Sequence, residues 1–332
     1  MRSSRLTFAL ESAALSLPET GKIAVLRPHS DDDLDALPKD RLVIMQGFRP
    51  DHDAFKARGY AVQPGAPDGP FAAAMVCLTR ARPEARALVA LAARQVGPEG
   101  LVIVDGQKTD GVESMLRDLR GMVAASTPVS KAHGKLFTFR PGTTDFSDWQ
   151  AQPTQIEGDF QTVAGVFSAD GIDRGSALLA AALPEKLPSR IIDLGAGWGY
   201  LAREILSRPS VKELHLVEAE AAALDCARHN IQDPRAQFHW ADARGFKLER
   251  GVDAVICNPP FHTTRDADPG LGIAFLTAAA RLLSGHGTLW LVANRHLPYD
   301  RTLTALFRDV EEIGGDAAFR LIRAARPTRP IR

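Results

Sequence analysis

The sequence predicts an α/β protein made of two doubly wound halves that meet near position 150. Three observations carry this expectation. Short β-rich runs alternate with helical stretches along the whole chain, as in a parallel sheet covered by helices on both faces. The chain has 332 residues, more than a typical domain of roughly 100–200 residues holds. The stretch between the halves, "RPGTTDFSDWQAQPTQIEGDF", is rich in Pro, Gly, Thr and Asp and reads as a linker or irregular connection. The expected domains are 1–150 and 151–332.

In the first half the β-rich runs are "KIAVLRP" (22–28), "LVIMQG" (42–47), "YAVQP" (60–64), "AAMVCL" (73–78), "LVIVDG" (101–106) and "KLFTFRP" (135–141). Between them, "RPEARALVALAARQV" has apolar residues at helical spacing, with Pro83 near the start, where its missing N–H costs nothing. The second half repeats the theme. "RIIDLGAGWGY" is a buried strand followed by a glycine turn and the helix "YLAREIL". "VKELHLVEAE" and "AALDCARHNI" give a second strand and a helix; "AQFHWADA" and "VDAVICNPP" give two more strands. "GIAFLTAAARLLS" is a long helix, "GTLWLVAN" a fifth strand, and "FRLIRAAR" a candidate last one.

Lys+Arg and Asp+Glu both number 40. With no net charge, long-range attraction to nucleic acid is not built into the whole molecule, so any such contact must come from a local patch. Cys77, Cys226 and Cys257 are far apart and form no C-x-x-C pair. A zinc site or disulfide framework is therefore not expected, and free thiols fit a reducing cytoplasm. No apolar stretch approaches a membrane span of roughly 18 residues. At the N-terminus Glu11 interrupts any apolar signal region, so no signal peptide is expected.

The chemistry gathers in the second half. "DLGAGWG" runs from Asp193 to Gly199 with glycines at 195, 197 and 199. Glycine allows a tight turn and a ligand close to the backbone. Dinucleotide folds use G-x-G-x-x-G for a pyrophosphate. Here the spacing is G-x-G-x-G behind an acid, which suits an amino-acid ammonium better; a ligand-free βα turn is the plain alternative. Glu218 ends the second strand, where an acid can accept both ribose hydroxyls. Asp242 follows the third strand and can accept an adenine amino group, with Ala241 or Ala243 along the ring, unless it only shapes a turn. Asn258 ends the fourth strand before Pro259, Pro260, Phe261 and His262. Acid, acid, acid and amide thus share one rim at the carboxyl ends of the strands.

In this order "DLGAGWG", "VEAE", "ADA" and "NPPF" resemble a class I S-adenosylmethionine-dependent methyltransferase. "GVFSADGIDRGSALLA" (165–180), "NPPFH" (258–262) and "VANRHLPY" (292–299) narrow the resemblance to ribosomal RNA guanine-N2 methyltransferases of the RsmC/RlmG type. The resemblance covers about 160–330. It implies two tandem Rossmann-like methyltransferase domains, the N-terminal one degenerate and serving RNA contact or stability. Members often have Gly soon after NPPFH, whereas this chain has Thr263 and Thr264.

The cofactor implied is S-adenosyl-L-methionine. Its expected contacts are Phe167, Asp173, Ser176, Asp193, Gly195, Ala196, Gly197, Glu218, Ala219, Asp242, Ala243 and Asn258. A helix cap is the other reading of Asp173 or Ser176. The expected catalytic set is Asn258, Pro259, Pro260 and Phe261. An amine conjugated to a purine is a poor nucleophile. The Asn258 side-chain oxygen and the Pro259 carbonyl can accept its two N–H bonds and free the nitrogen lone pair, with the prolines holding both acceptors in place. Phe261 can stack on an extruded base.

Lys108, Lys131, Lys135, His262 and Arg295 are the candidate RNA contacts, solvated loops being the alternative. The arginine-rich C-terminus is either a further RNA contact or a disordered basic tail. The expected substrate is a guanosine 2-amino group in ribosomal RNA, most simply 16S (small-subunit) RNA, free or in a ribosomal subunit. The enzyme is expected to be a cytoplasmic monomer without a metal or a membrane. An NPPF enzyme acting on adenine or on a glutamine amide, and a non-catalytic RNA-binding assembly factor, remain alternatives at this stage.

Overall fold

The computed structural model describes residues 2–260 and 269–328. The chain divides into two compact units, Met1–Pro153 and Thr154–Arg332.

The first unit begins with α1 (Arg2–Glu11), β1 (Ile23–Leu26), β2 (Leu42–Met45), α2 (Arg49–Ala57), β3 (Ala61–Gln63) and β4 (Ala73–Cys77). It continues with α3 (Arg82–Val96), β5 (Leu101–Gln107), α4 (Val112–Arg120), β6 (Val129–Lys131) and β7 (Gly134–Phe139). Its sheet has the order β3-β2-β1-β4-β5-β7-β6. Every residue of β4 is buried, because helices cover both faces of a central parallel strand. Helix α3 starts with Pro83 in its first turn and stops at Gly97, whose φ of 69° suits glycine. Its face of Ala85, Leu88, Val89, Ala92 and Val96 packs against Val76, Val102 and Val104. Burying each large aliphatic side chain contributes roughly 1.5–3 kcal/mol.

The second unit begins with β8 (Thr154–Ile156), β9 (Phe160–Thr162), α5 (Arg174–Ala182), β10 (Arg190–Leu194), α6 (Tyr200–Leu206), β11 (Glu213–Glu218) and α7 (Ala221–Asn230). Next come β12 (Ala236–Trp240), β13 (Val252–Cys257), α8 (Pro269–Leu282), β14 (Leu283–Asn294), α9 (Asp300–Leu306), β15 (Phe307–Gly315) and β16 (Phe319–Pro327). The sheet order is β12-β11-β10-β13-β14-β16-β15, the same as in the first unit. Along β10 successive residues serve opposite faces. Ile192 and Leu194 join the core with α8, and Ile191 joins the core with α5 and α6.

Three expectations are corrected. Neither sheet is purely parallel: β7 runs antiparallel to β5 and β6, and β16 antiparallel to β14 and β15. The cause is local. Only Ala132 and His133 join β6 to β7, both with positive φ (50° and 58°), and so short a link can only reverse the chain. The stretch holding Lys131 and Lys135 is therefore a hairpin.

The supposed linker is largely structured. Phe146 and Trp149 enter the first unit's core, with Phe146 against Phe139 and the Trp149 ring under Arg86. Beyond them β8 and β9 pair as a hairpin. Aromatic anchors outweigh the turn-forming composition around them.

The candidate last strand "FRLIRAAR" is β16, hydrogen-bonded on both sides, so the alternative of a disordered basic tail does not hold for the described residues. Arg320 is buried and donates to Asp300 at 2.7 Å and to the Leu297 carbonyl. Arg326 pairs with Asp309. Arg329 and Arg332 lie outside the described residues.

Candidate active site

The chain enters the second sheet at β10, and its neighbours there are β11 on one side and β13 on the other. The crevice at the carboxyl ends of such diverging strands is where open α/β sheets bind ligands. Asp193, Glu218, Asp242 and Asn258 all sit at or just beyond strand ends on this rim.

Asp193 is fully buried, and neither of its oxygens makes a well-formed hydrogen bond. Burial, and then the nearby Glu218 charge, push its carboxyl up to about 8, with the Ala202 N–H pulling weakly the other way. An enclosed, unpartnered carboxylate is costly unless a donor or cation reaches it.

The glycine turn follows directly. Gly195 and Gly197 have φ of 83° and 55°, a region in which side chains are strained. The N–H groups of Gly195 and Ala196 donate to the Val217 carbonyl at 2.9 and 3.1 Å, which ties the turn to the end of β11. Ala196 is buried. A Cβ on Gly195 would come within 3.2 Å of the Phe275 ring, whereas one on Gly197 would meet nothing within 4 Å.

Glu218 is half-buried. Its Oε2 accepts the Gly197 N–H and its Oε1 the Glu220 N–H, both at 2.8 Å. Burial raises its carboxyl, against the pull of these two N–H groups. One lone pair on each oxygen remains for other donors. Ala219, next in the chain, accepts the Trp240 indole N–H through its carbonyl. Asp242 is gripped by Arg244, whose Nε lies 3.0 and 2.9 Å from its two oxygens. Ala243 is buried beside it.

Asn258 is half-buried at the end of β13. Its Nδ2 donates to Asp173 Oδ2 and to Ser176 Oγ, both at 2.8 Å. Pro259 is buried and Pro260 exposed. Adjacent strands fix the two halves of the rim: Cys257 Sγ donates to the Leu194 carbonyl at 3.1 Å, and the Asn258 carbonyl lies 4.0 Å from where a Gly195 Cβ would sit. Phe261 and His262, with Thr263 and Thr264, lie outside the described residues.

Phe167 is 58% exposed. Its carbonyl accepts the indole N–H of Trp198, which belongs to the glycine turn. Asp173 caps α5 by accepting the Ser176 N–H at 2.7 Å. The cap reading therefore holds for Asp173, and the same oxygen also touches Asn258.

Lys108, Lys131 and Lys135 belong to the first unit, and Arg295 directly follows β14. Lys108 is exposed, and its N–H donates to the His133 carbonyl. Lys131 stands 4.8 Å over the Phe8 ring, and Lys135 pairs with Glu113 at 2.8 Å. Arg295 belongs to the second unit and pairs with Glu312 at 3.0 Å. Sequence reading missed Arg244 and the bond between Asn258 and the α5 cap. The first had a signal, since a basic residue two positions after an acid at a strand end can fold back on it. Among the described residues no group of His, Cys, Asp and Glu could hold a metal ion, and no helix is long and apolar enough to cross a membrane.

In the first unit the ends of β1 and β2, which correspond to β10 and β11, are bridged by the chain's own side chains, and a further buried pair lies within β5. Arg27 follows β1 with φ of 60° and donates to Gln46 at 3.0 Å. Gln46, just past β2, donates to the Pro28 carbonyl. At β5, Arg5 binds Asp105 through two nitrogens at 2.7 and 2.8 Å, and both residues are fully buried.

A seven-stranded sheet of this order, with a glycine turn and acids at successive strand ends, defines a Rossmann-like methyltransferase. The family profile "Methyltransferase small domain" matches residues 157–323, and the chain belongs to that family, as a member of the RsmC/RlmG type. It is 31% identical over 244 residues to ribosomal RNA small subunit methyltransferase C of Shewanella oneidensis, spanning 70% of this chain and 71% of that one. It is 34% identical over 220 residues to ribosomal RNA large subunit methyltransferase G of Pseudomonas syringae pv. tomato, spanning 63% and 58%. The fold resembles the T. thermophilus 16S rRNA N2 G1207 methyltransferase in complex with AdoMet and guanosine. The TM-score is 0.81 at 21% identity, over 98% of this chain and 91% of that one.

Proposed function

We propose that this enzyme transfers a methyl group from S-adenosyl-L-methionine to the exocyclic 2-amino group of a guanosine in small-subunit ribosomal RNA. The observation that carries the reading is the convergence of Asp193, Glu218, Asp242 and Asn258 on one crevice. The names of the relatives support the RNA substrate.

The residues present fit the cofactor. The unpartnered Asp193 carboxylate suits an ammonium group, and the open side of Gly197 leaves room against the backbone. When bound, S-adenosylmethionine supplies an electrophilic methyl on a sulfonium. Asp193 and the Gly195–Gly197 turn would hold its amino-acid end. Glu218 would hold the ribose hydroxyls. Asp242 and Ala243 would hold the adenine, which requires Arg244 to share or release the Asp242 carboxylate. Asn258 Oδ1 and the Pro259 carbonyl would accept the two N–H bonds of the guanine amine. These contacts strengthen as the nitrogen becomes pyramidal, so they act on turnover more than on binding. Phe261 would stack on the base.

The first unit would serve RNA contact or stability, with Lys108, Lys131 and Lys135 as candidate contacts. The enzyme would act as a cytoplasmic monomer.

The test is nucleoside mass spectrometry of ribosomal RNA from a deletion strain complemented with the parent or with Asn258→Ala. One N2-methylguanosine should be missing from 16S RNA, restored by the parent and not by the variant. In purified Asn258→Ala, turnover should fall by about 10² or more, the scale for one lost preorganised polar group. Unchanged ribosomal RNA in the deletion strain would overturn the proposal.

A further inference from the structure

We infer that Asp173 and Ser176 are positioning residues that lock the Asn258 side-chain amide in the orientation presenting its oxygen to the substrate amine. The inference rests on the proposed role of Asn258 as an amine acceptor.

A side-chain amide has two orientations related by a half turn, nearly identical in shape and opposite in hydrogen bonding. Only one of them can accept N–H bonds from an amine; the other would offer the amine an NH2 group and repel it. The strand end itself does not choose between them. The choice comes from Asp173, 85 positions away in sequence, because a carboxylate can only accept; the Ser176 hydroxyl, 82 positions away, anchors the amide there. Both Nδ2 hydrogens are taken, one by Asp173 Oδ2 and one by Ser176 Oγ, each at 2.8 Å. Turning the amide over would press Oδ1 against a carboxylate oxygen with no proton between them. Hydrogen bonds to a charged acceptor are about twice as strong as neutral ones, so the half turn is strongly disfavoured.

Asp173 is itself held. The same Oδ2 accepts the Ser176 N–H at 2.7 Å, so helix α5 fixes the carboxylate that fixes the amide. Ser176 is buried. Gly175 stands between them, and a Cβ there would lie 3.1 Å from Asp173 Oδ2 and 3.2 Å from the Phe319 ring. Any larger residue would push against the carboxylate. Helix capping alone accounts for the Asp173–Ser176 bond but not for the Asn258 amide being turned toward it. The carboxylate also polarises the amide, drawing on its N–H and leaving more negative charge on Oδ1. Asp173 and Ser176 thus act through Asn258, not on the substrate.

Three variants separate this role from helix stability. Asp173→Ser keeps a good N-cap, but its hydroxyl is too short to serve the cap and Asn258 together. Asp173→Asn keeps a longer oxygen that can serve both. Ser176→Ala removes one amide contact and leaves the capped N–H in place.

Each would be assayed for melting temperature, S-adenosylmethionine affinity by calorimetry, and single-turnover methylation of small subunits from the deletion strain. Asp173→Ser should bind cofactor within a few-fold of the parent and turn over about tenfold or more slowly. Asp173→Asn should recover most of that rate, and Ser176→Ala should be slowed severalfold at an unchanged melting temperature. In an Asn258→Ala background Asp173→Ser should cost nothing further, the non-additivity expected of a residue acting through another.

Parental turnover in both Asp173→Ser and Ser176→Ala would overturn the inference. So would a loss of turnover matched by an equal loss of cofactor affinity, or additive effects with Asn258→Ala. A parental rate in Asn258→Ala alone would instead overturn the role of Asn258 on which the inference rests.

Discussion

Glu218→Gln changes almost no volume at the rim, yet it should be far from conservative. Both carboxylate oxygens already accept a backbone N–H at 2.8 Å, one from Gly197 and one from Glu220. A glutamine has one oxygen and one NH2. Whichever way it turns, one of those N–H groups faces another donor, at a cost of about 1–3 kcal/mol for the unsatisfied group. On the ligand side one of two charge-assisted bonds to the ribose is lost, each contributing about 1.5–3 kcal/mol. The ligand loss alone corresponds to roughly 10- to 150-fold weaker binding.

Calorimetry with S-adenosylmethionine and S-adenosylhomocysteine measures this directly. Both ligands share the ribose and should weaken alike. The strained Gly197 contact should also lower the melting temperature of the free protein. A folded Glu218→Gln that melts with the parent and binds both ligands within twofold of it would refute the assignment of Glu218 to the ribose.

Two further outcomes follow from the same rim. Asp193 rises from 3.8 to about 8 on folding, and a raised acid contributes stability that is complete below its unfolded pKa and is lost as pH rises through its folded one. The melting temperature of the ligand-free protein should therefore fall as pH rises between about pH 4 and 8 and level off above that. Glu218 acts in the same sense, so Asp193→Asn should flatten that slope without abolishing it; an identical slope in the variant would exclude Asp193 as its source. Gly197→Ala should cost about 1–2 kcal/mol of stability for its left-handed backbone, while Gly195→Ala should cost more because its Cβ meets Phe275. Despite the smaller stability loss, Gly197→Ala should weaken cofactor binding at least as much, since its methyl would enter open space beside the turn; calorimetric affinity equal to the parent's would count against a ligand there.

The second unit was the more legible half because its signals are local. A glycine turn between a buried strand and a helix can be read within "RIIDLGAGWGY", since φ above zero needs glycine at those positions. The ends of β11, β12 and β13 were legible for the same reason: an apolar run stops at a polar residue.

Signals that depend on distant partners were not legible. Nothing within "GIDRGS" announces that Asp173 will meet Asn258, because that contact depends on how α5 packs against the sheet. Nor does "FRLIRAAR" announce that Arg320 will be buried against Asp300; an arginine-rich end looks solvated until its acids are found. The turn within "VSKAHGKLF" was legible from its glycine, but not that β6 and β7 pair around it, because "VSK" is too short and polar to read as a strand. The aromatic pair Phe146 and Trp149 was hidden among Pro, Gly, Thr and Asp.

The bond from Cys257 to the Leu194 carbonyl joins strand ends some sixty residues apart in sequence. It adds to the parallel ladder that sets the amide-bearing strand directly beside the strand that begins the glycine turn. Methyl donor and methyl acceptor would then be aligned by one pair of hydrogen-bonded strands, not by loops. Sequence outside that pair, the α5 cap and the ends of β11 and β12 is free to drift without disturbing the alignment. Such a division lets a lineage retarget the enzyme to a different guanosine by changing surface segments alone. It also indicates where an engineer should leave the protein untouched, and where new target sites can be sought.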